Sequence, residues 1–192
     1  MKVGVLSLQG GFNCHVKVLS LLGVEPIEVR TPEALDGVDA LVIPGGESTT
    51  ISMLAEKSGL MESMKLYFSR GLPVLGTCAG MILLSKRIVD GKGDQHSFGA
   101  IDIDVCRNGY GRQIDSFERN IDVLGLDNPF PGVFIRAPIV DRIGDNVTVL
   151  AVADGRPVLC CQGSVMVAAF HPELTNDDRI HQMFLSSIFS GS

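Results

Sequence analysis

The pattern with most chemical potential in this 192-residue chain is Gly76-Thr77-Cys78-Ala79-Gly80. The apolar run 73–76 leads into it and a helix-like segment from Ala79 leads out, so Cys78 falls at a strand-to-helix turn. Small residues two places before and after the cysteine suit a nucleophile elbow, where a tight backbone lifts one side chain clear of a sheet. A helix starting just beyond the sulfur favours a thiolate and offers free N–H groups to an oxyanion. The plainer alternative is a small buried thiol, a common state of a free cysteine.

A thiol nucleophile needs a base, and the base needs an orienting group. The chain has four histidines, His15, His96, His171 and His181. His171 closes the apolar run 165–170 in Phe170-His171-Pro172-Glu173, and active sites of α/β sheets gather at strand C-termini. Pro172 fixes the backbone there, and Glu173 can accept the second imidazole N–H. The alternative is a strand end with a solvated glutamate. The order nucleophile-then-base, with a carboxylate beside the base, selects Cys78, His171 and Glu173. His96 and His181 are expected at the surface, and Cys106, Cys160 and Cys161 at core or strand positions without chemistry.

A third pattern is Pro44-Gly45-Gly46-Glu47-Ser48-Thr49-Thr50, a strand end followed by a helix with Ser/Thr caps. Consecutive glycines let the backbone approach a ligand closely. The N–H groups of Gly46 and Ala79 would together form an oxyanion hole; an ordinary strand-to-helix turn is the alternative. No Lys-Ser/Thr pair follows the glycines, which excludes a P-loop. Arg107 and Arg136 lie in turn-like segments, where a guanidinium can grip a carboxylate with two N–H groups. For either one alone, a surface arginine is the simpler reading.

These residues must be held by an α/β scaffold. Strands are predicted over 3–8, 25–29, 40–43 and 73–76, and helices over 12–22, 48–55, 60–69 and from 79 to 86. Continuous apolar strands separated by helices indicate a mostly parallel sheet covered on both faces, a three-layer architecture. Residues 101–105 alternate as a strand with one solvated face. The runs 147–152, 158–161 and 165–170, with turn signals at Asp154-Gly155 and Gln162-Gly163, predict an antiparallel extension. A last helix is predicted over 176–189, capped by Thr175 or Asn176, and 91–95 reads as a polar surface loop. Without repeats or a linker, residues 1–192 are expected to form one domain.

Composition narrows the function classes. Hydrophobic residues make up 45% and charged residues 20%, which excludes intrinsic disorder. A formal charge of −6 argues against a general nucleic-acid binder. No apolar run approaches the roughly 20 residues of a membrane span, and the short apolar start reads as a first strand, not a signal peptide. The five cysteines contain no CxxC pair. That argues against zinc and for a reducing compartment, the cytoplasm.

Together, Pro44-Gly45-Gly46-Glu47-Ser48, Gly76-Thr77-Cys78-Ala79-Gly80 and His171-Pro172-Glu173 resemble the class I, triad-type glutamine amidotransferases, whose fold is flavodoxin-like. Further segments are similar to one branch of that family, the glutaminase subunits that serve pyridoxal 5'-phosphate synthase. They are Leu8-Gln9-Gly10, Arg107-Asn108, Gly111-Arg112-Gln113, Ser116-Phe117-Glu118, Phe134-Ile135-Arg136-Ala137-Pro138 and Leu174-Thr175. The likeness spans nearly the whole chain. It implies hydrolysis of L-glutamine to glutamate and ammonia through a thioester on Cys78, with His171 as base and Glu173 orienting it. It implies Gly46, Glu47, Ser48, Arg107, Ile135 and Arg136 as glutamine-binding residues, with the arginine that takes the α-carboxylate left open. No cofactor and no metal are implied. Ammonia would pass to a separate (β/α)8-barrel subunit, which builds pyridoxal 5'-phosphate from a pentose phosphate and a triose phosphate.

Cys14, where an acidic residue is frequent, Tyr110 and the loop 91–96 depart from the family pattern without touching the proposed triad. Cys14 and Gln9 are expected near a partner-facing edge. Two other classes compete: a cysteine-elbow peptidase or chaperone-like hydrolase, whose members commonly lack His-Pro-Glu at the strand end, and a non-catalytic binding subunit, which would carry a broken triad.

Overall fold

The computed structural model describes residues 1–91, 93, 95–107 and 116–190. In chain order its elements are β1 (Lys2–Leu6), α1 (Phe12–Leu21), β2 (Glu25–Val29), β3 (Ala40–Ile43), α2 (Ser48–Lys57), α3 (Leu60–Ser69), β4 (Val74–Thr77), α4 (Ala79–Leu84) and β5 (Ser85–Ile88). Then follow β6 (Ile101–Cys106), β7 (Ser116–Ile121), β8 (Phe130–Ile135), β9 (Ile139–Ile143), β10 (Thr148–Ala153), β11 (Arg156–Gln162), β12 (Val165–Ala168) and α5 (Arg179–Ser190). Short 3-10 turns span Pro32–Leu35 and Pro172–Leu174.

Seven strands form the central sheet in the order β10-β11-β12-β4-β3-β1-β2. The stretch from β12 to β2 is parallel, and β10 and β11 extend it antiparallel. Every residue of β3, β4 and β12 is buried, as expected for strands covered on both faces. The two coverings are visible at adjacent residues of β4. Gly76 faces Leu84 and Gly80 of α4, whereas the Thr77 hydroxyl meets His15 of α1. The mixed α/β, three-layer expectation therefore holds, as does the antiparallel extension.

Three local expectations need correction. The helix after Cys78 ends at Leu84 instead of running to 86, and the chain turns at once into β5. Its last carbonyls are claimed from outside the helix: Phe98 N–H donates to the Leu83 carbonyl and Ala100 N–H to that of Leu84. The final helix starts at Arg179, not at 176, because the Thr175 hydroxyl is engaged with the Pro172 and Asp177 carbonyls and the Asp177 carboxylate accepts the Arg179 N–H. Helix α2 is capped by Glu47, whose side chain accepts the Thr50 N–H, and not by a serine or threonine. Of the polar loop 91–95, Lys92 and Asp94 lie outside the described residues.

Candidate active site

The parallel strands β12, β4 and β3 end level with one another. Ala168 pairs with Thr77 and Ile43 with Gly76, so the segments that follow each strand meet at one edge. Cys78 follows β4, His171 follows β12, and Pro44-Gly45-Gly46 follows β3.

Cys78 has φ 49° and ψ −102°, in the positive-φ region that a side chain rarely adopts. Its N–H is held at 2.8 Å by the Ala168 carbonyl. The flanking glycines are demanded by contact. A Cβ on Gly80 would stand 2.1 Å from the Ile43 carbonyl oxygen, and one on Gly76 2.7 Å from the Gly80 carbonyl carbon. The elbow is thus pressed between β3 and the first turn of α4. Cys78 is 7% exposed, with Sγ 3.8 Å from the Ile135 carbonyl.

His171 anchors its backbone N–H on the Val133 carbonyl at 2.8 Å, and its Nδ1 lies 2.8 Å from Glu173 Oε1. An ionised carboxylate only accepts, so Nδ1 carries the proton in this contact. Burial works against charge on the imidazole. Hydrogen bonding to Cys78 and to Glu173, and the carboxylate charge, outweigh it and raise His171 to about 10. Glu173 is itself buried, which disfavours its charge, but His15 and His171 pull it below its ordinary value.

The glycine loop closes over this pair. A Cβ on Gly45 would lie 2.4 Å from His171 Cε1 and 3.4 Å from Cys78 Cβ. Gly46 packs against the Gln9 side chain, and Gly10, at φ 101°, packs on the Gly45 carbonyl. Gln9 Oε1 also accepts the Glu47 N–H at 2.8 Å. Burial works against charge on Glu47, but hydrogen bonds from the Thr49 and Thr50 hydroxyls and N–H groups hold its carboxyl down at about 2. Its Oε1 faces the Arg107 guanidinium at 3.2 Å. Arg107 also donates to Gln95, which in turn donates to Ser48.

These groups surround a cavity of about 330 Å3. Of the residues selected from sequence, Gly46, Glu47, Ser48, Cys78, Arg107, Ile135, Arg136, His171 and Glu173 all line it. Ala79 is buried directly behind Cys78 and is not part of the lining. Residues 108–115, which carry Gly111-Arg112-Gln113 and Tyr110, are outside the described residues.

One wall residue was not selected from sequence, and one histidine differs from expectation. Gln9 belongs to the cavity wall; its location just past a central parallel strand is the signal that points there. His181 is fully buried instead of lying at the surface, and it contacts the equally buried His15. The sign was present, because His181 shares a helix face with Phe184 and Leu185, three and four residues on. His96 is exposed beside Glu56, as expected. Cys106 and Cys161 are half-buried on strands and Cys160 is buried, and all five cysteines are free. Among the described residues, no cluster of three or more His, Cys, Asp or Glu is arranged to hold a metal ion, and no helix is long and apolar enough to cross a membrane.

The chain is similar to known proteins along nearly its whole length. Among curated relatives, "Pyridoxal 5'-phosphate synthase subunit PdxT" of Mycobacteroides abscessus is 51% identical over 98% of both chains. The protein of the same name from Thermosipho africanus is 53% identical over 98% of this chain and 99% of its own. A crystal structure described as a glutamine amidotransferase superposes with a TM-score of 0.93 at 48% identity, covering 97% of this chain and 98% of that one. A chain in the structure of PurLQS from Thermotoga maritima, at 18% identity and a TM-score of 0.66, shares the fold over 99% of this chain and 96% of its own. The SNO glutamine amidotransferase family matches residues 5–190, and the chain belongs to that family.

Proposed function

We propose that this protein hydrolyses L-glutamine to glutamate and ammonia, with Cys78, His171 and Glu173 as its catalytic triad. The observation that carries the reading is a cysteine with φ 49° lining the same cavity as a histidine paired at 2.8 Å with a buried glutamate. The Cys78 sulfur attacks the carboxamide carbon while its proton resides on His171. The C–O π electrons move to oxygen, and the N–H groups of Gly46 and Ala79 hold that oxyanion. His171 then passes its proton to the departing nitrogen, the C–N bond breaks, and ammonia leaves a thioester on Cys78. Water, deprotonated by His171, attacks the thioester, and glutamate departs as the thiol re-forms. Glu173 keeps the imidazole in one orientation and supports its charge throughout.

Glu47 and Arg107 form an opposite-charge pair on one wall of the cavity. That pair matches the two charges of an amino acid, carboxylate to α-ammonium and guanidinium to α-carboxylate. Arg136, at the exposed end of β8, adds positive charge, and Ser48 and Ile135 complete the wall. The Arg107 side chain is only 15% exposed, so its alanine variant should raise KM for glutamine more than that of Arg136.

The chain spans 98% of the Mycobacteroides abscessus protein, whose name makes it a subunit of pyridoxal 5'-phosphate synthase. We therefore take residues 1–192 as one glutaminase domain that works in the cytoplasm. It hands its ammonia to the (β/α)8-barrel subunit of that synthase for vitamin B6 biosynthesis. The test is glutamate release from glutamine with and without such a barrel subunit. Strong stimulation is expected. Release indifferent to the barrel would overturn the partner and keep the chemistry, and no release in either case would overturn the function.

A further inference from the structure

Behind Glu173 the fold buries two histidines that the triad does not use. His15 on α1 and His181 on α5 are both 0% exposed. His15 Nδ1 faces His181 Nε2 at 2.9 Å, while His15 Nε2 lies 3.1 Å from Thr77 Oγ1 and 3.4 Å from Glu173 Oε2. Among the described residues, two buried atoms of the cluster, Glu173 Oε2 and His181 Nδ1, have no hydrogen-bond partner. His15 Nε2 is the charged-pair neighbour of Glu173 Oε2, at a distance just beyond a good hydrogen bond, and no such neighbour is found for His181 Nδ1 among those residues.

Neutral imidazoles can share one hydrogen at the His15–His181 contact in two ways. If His15 Nδ1 donates, His181 must carry its own proton on Nδ1, a buried N–H without an acceptor. His15 would then turn a lone pair toward Glu173 Oε2. If His181 Nε2 donates, His15 carries its proton on Nε2, within hydrogen-bond distance of the Thr77 hydroxyl and with Glu173 Oε2 beside it as the nearest charge. The orphan is then a bare lone pair on His181 Nδ1, and an orphaned buried N–H is the rarer state of the two. Burial, and for His181 the neighbouring His15, holds both histidines below their ordinary values, His181 at about 3. A neutral pair in the second order is thus the arrangement that satisfies the site.

We propose that His15 is a positioning residue for Glu173, presenting Nε2–H to the carboxylate oxygen that His171 does not use, with its tautomer set by His181. The inference rests on the triad reading above. Glu173 is then held from two sides, by His171 at Oε1 and by His15 at Oε2, which fixes the plane of the carboxylate and keeps it ionised. His171 in turn keeps its Nδ1–H on Glu173 and its other nitrogen for the reacting groups. The titratable and polar groups facing His15 are His181 from α5, Thr77 from β4, and Glu173 and His171 from the segment after β12.

The test is the pH profile of kcat/KM for glutamine hydrolysis by the complex with the barrel subunit, in wild type, His15→Leu, His15→Gln and His181→Leu. Loss of the donor in His15→Leu should lower kcat about tenfold or more, the scale of one hydrogen bond to a buried charge. KM should stay within about twofold, because His15 is outside the cavity lining. The acid limb should move to higher pH, because Glu173 takes up a proton more readily without His15. His15→Gln, whose amide N–H can reach the same acceptors, should restore the limb, and His181→Leu should shift it less in the same direction. A His15→Leu limb that overlays the wild type overturns the proposal, as does a His15→Gln limb displaced as far as that of His15→Leu. If His15→Leu does not fold, a His181→Leu limb at the wild-type position overturns it. Should wild type release no glutamate, the triad reading fails by itself. The pH dependence of Cys78 alkylation by iodoacetamide then still tests His15: a shift in His15→Leu supports it, and no shift overturns it.

Discussion

Glu173 and Asp102 are both carboxylates held by cationic or proton-donating neighbours, in two different regions. Glu173 lies 6% exposed at the parallel-strand edge, between His171 and His15. Asp102, on β6 of the separate β5-β6-β9 sheet, is 32% exposed between Lys86 at 2.9 Å and Arg142 at 2.5 Å. Hydrogen bonds from Arg142 and then Lys86 lower the Asp102 carboxyl, but water and salt screen what those contacts contribute. Glu173's side chain is only 1% exposed, so solvent screens little there, each contact alters the charge of its neighbour, and His171 is lifted to about 10. Burial, and not the number of ion pairs, separates the region that can do chemistry from the one that decorates a sheet.

The sharpest contrast comes from the proposed nucleophile. Cys78→Ala should abolish glutamate release, a loss on the order of 10^6 in kcat, with an unchanged circular dichroism spectrum. Residual turnover near wild type would remove Cys78 from the mechanism. Glu173→Gln should cost on the order of 10^3–10^4 in kcat, because an amide orients the imidazole wrongly and cannot support its charge. A tenfold effect or less would put Glu173 in the same class as Asp102.

A pH titration separates the regions next. His171 is raised, so its stabilisation is complete below its ordinary value of 6.5 and is lost as pH rises through about 10. Glu173 is lowered, so its contribution is complete above its ordinary 4.5 and is lost as pH falls. The folded state should therefore be most stable between 4.5 and 6.5 as far as this pair is concerned, with Tm declining toward pH 10. His171→Asn should flatten that alkaline decline; an identical slope in both proteins would remove His171 as its source. The smallest effect belongs to Asp102→Asn. Its activity and Tm should stay close to wild type, and any difference should vanish at high salt. A large loss of activity would mean that the small sheet communicates with the site.

Much of the elbow was legible because its constraints are local. Gly76 and Gly80 sit where a Cβ would collide, so their spacing around Cys78 reports the turn directly. The strands β3, β4 and β12 could be read as apolar runs because both their faces are covered. Strands β7 and β8 were not legible. Ser116–Ile121 is mostly exposed and polar and Phe130–Ile135 contains proline and glycine, yet they pair with each other along their full length. Stacking of Phe117 on Phe134, with centroids 4.6 Å apart, supports that pairing, and residues so far apart leave no periodic trace. Likewise β5 follows α4 without a break, because the N–H groups that claim the helix's last carbonyls come from residues 98 and 100.

The sequence by itself determined which side chains could act, and which short runs would become buried strands, tight turns and helices. Those properties follow from side-chain chemistry, backbone sterics and hydrophobic periodicity within about ten residues. Only the tertiary structure decided that residues 9, 46, 78 and 171 share one edge, because that depends on the order and register of parallel strands. It alone decided that His181 meets His15 behind Glu173. Helical spacing assigns a histidine to a buried face, but only the packing of α5 against α1 names its neighbour there, and in a low dielectric such a neighbour bears on where the proton sits.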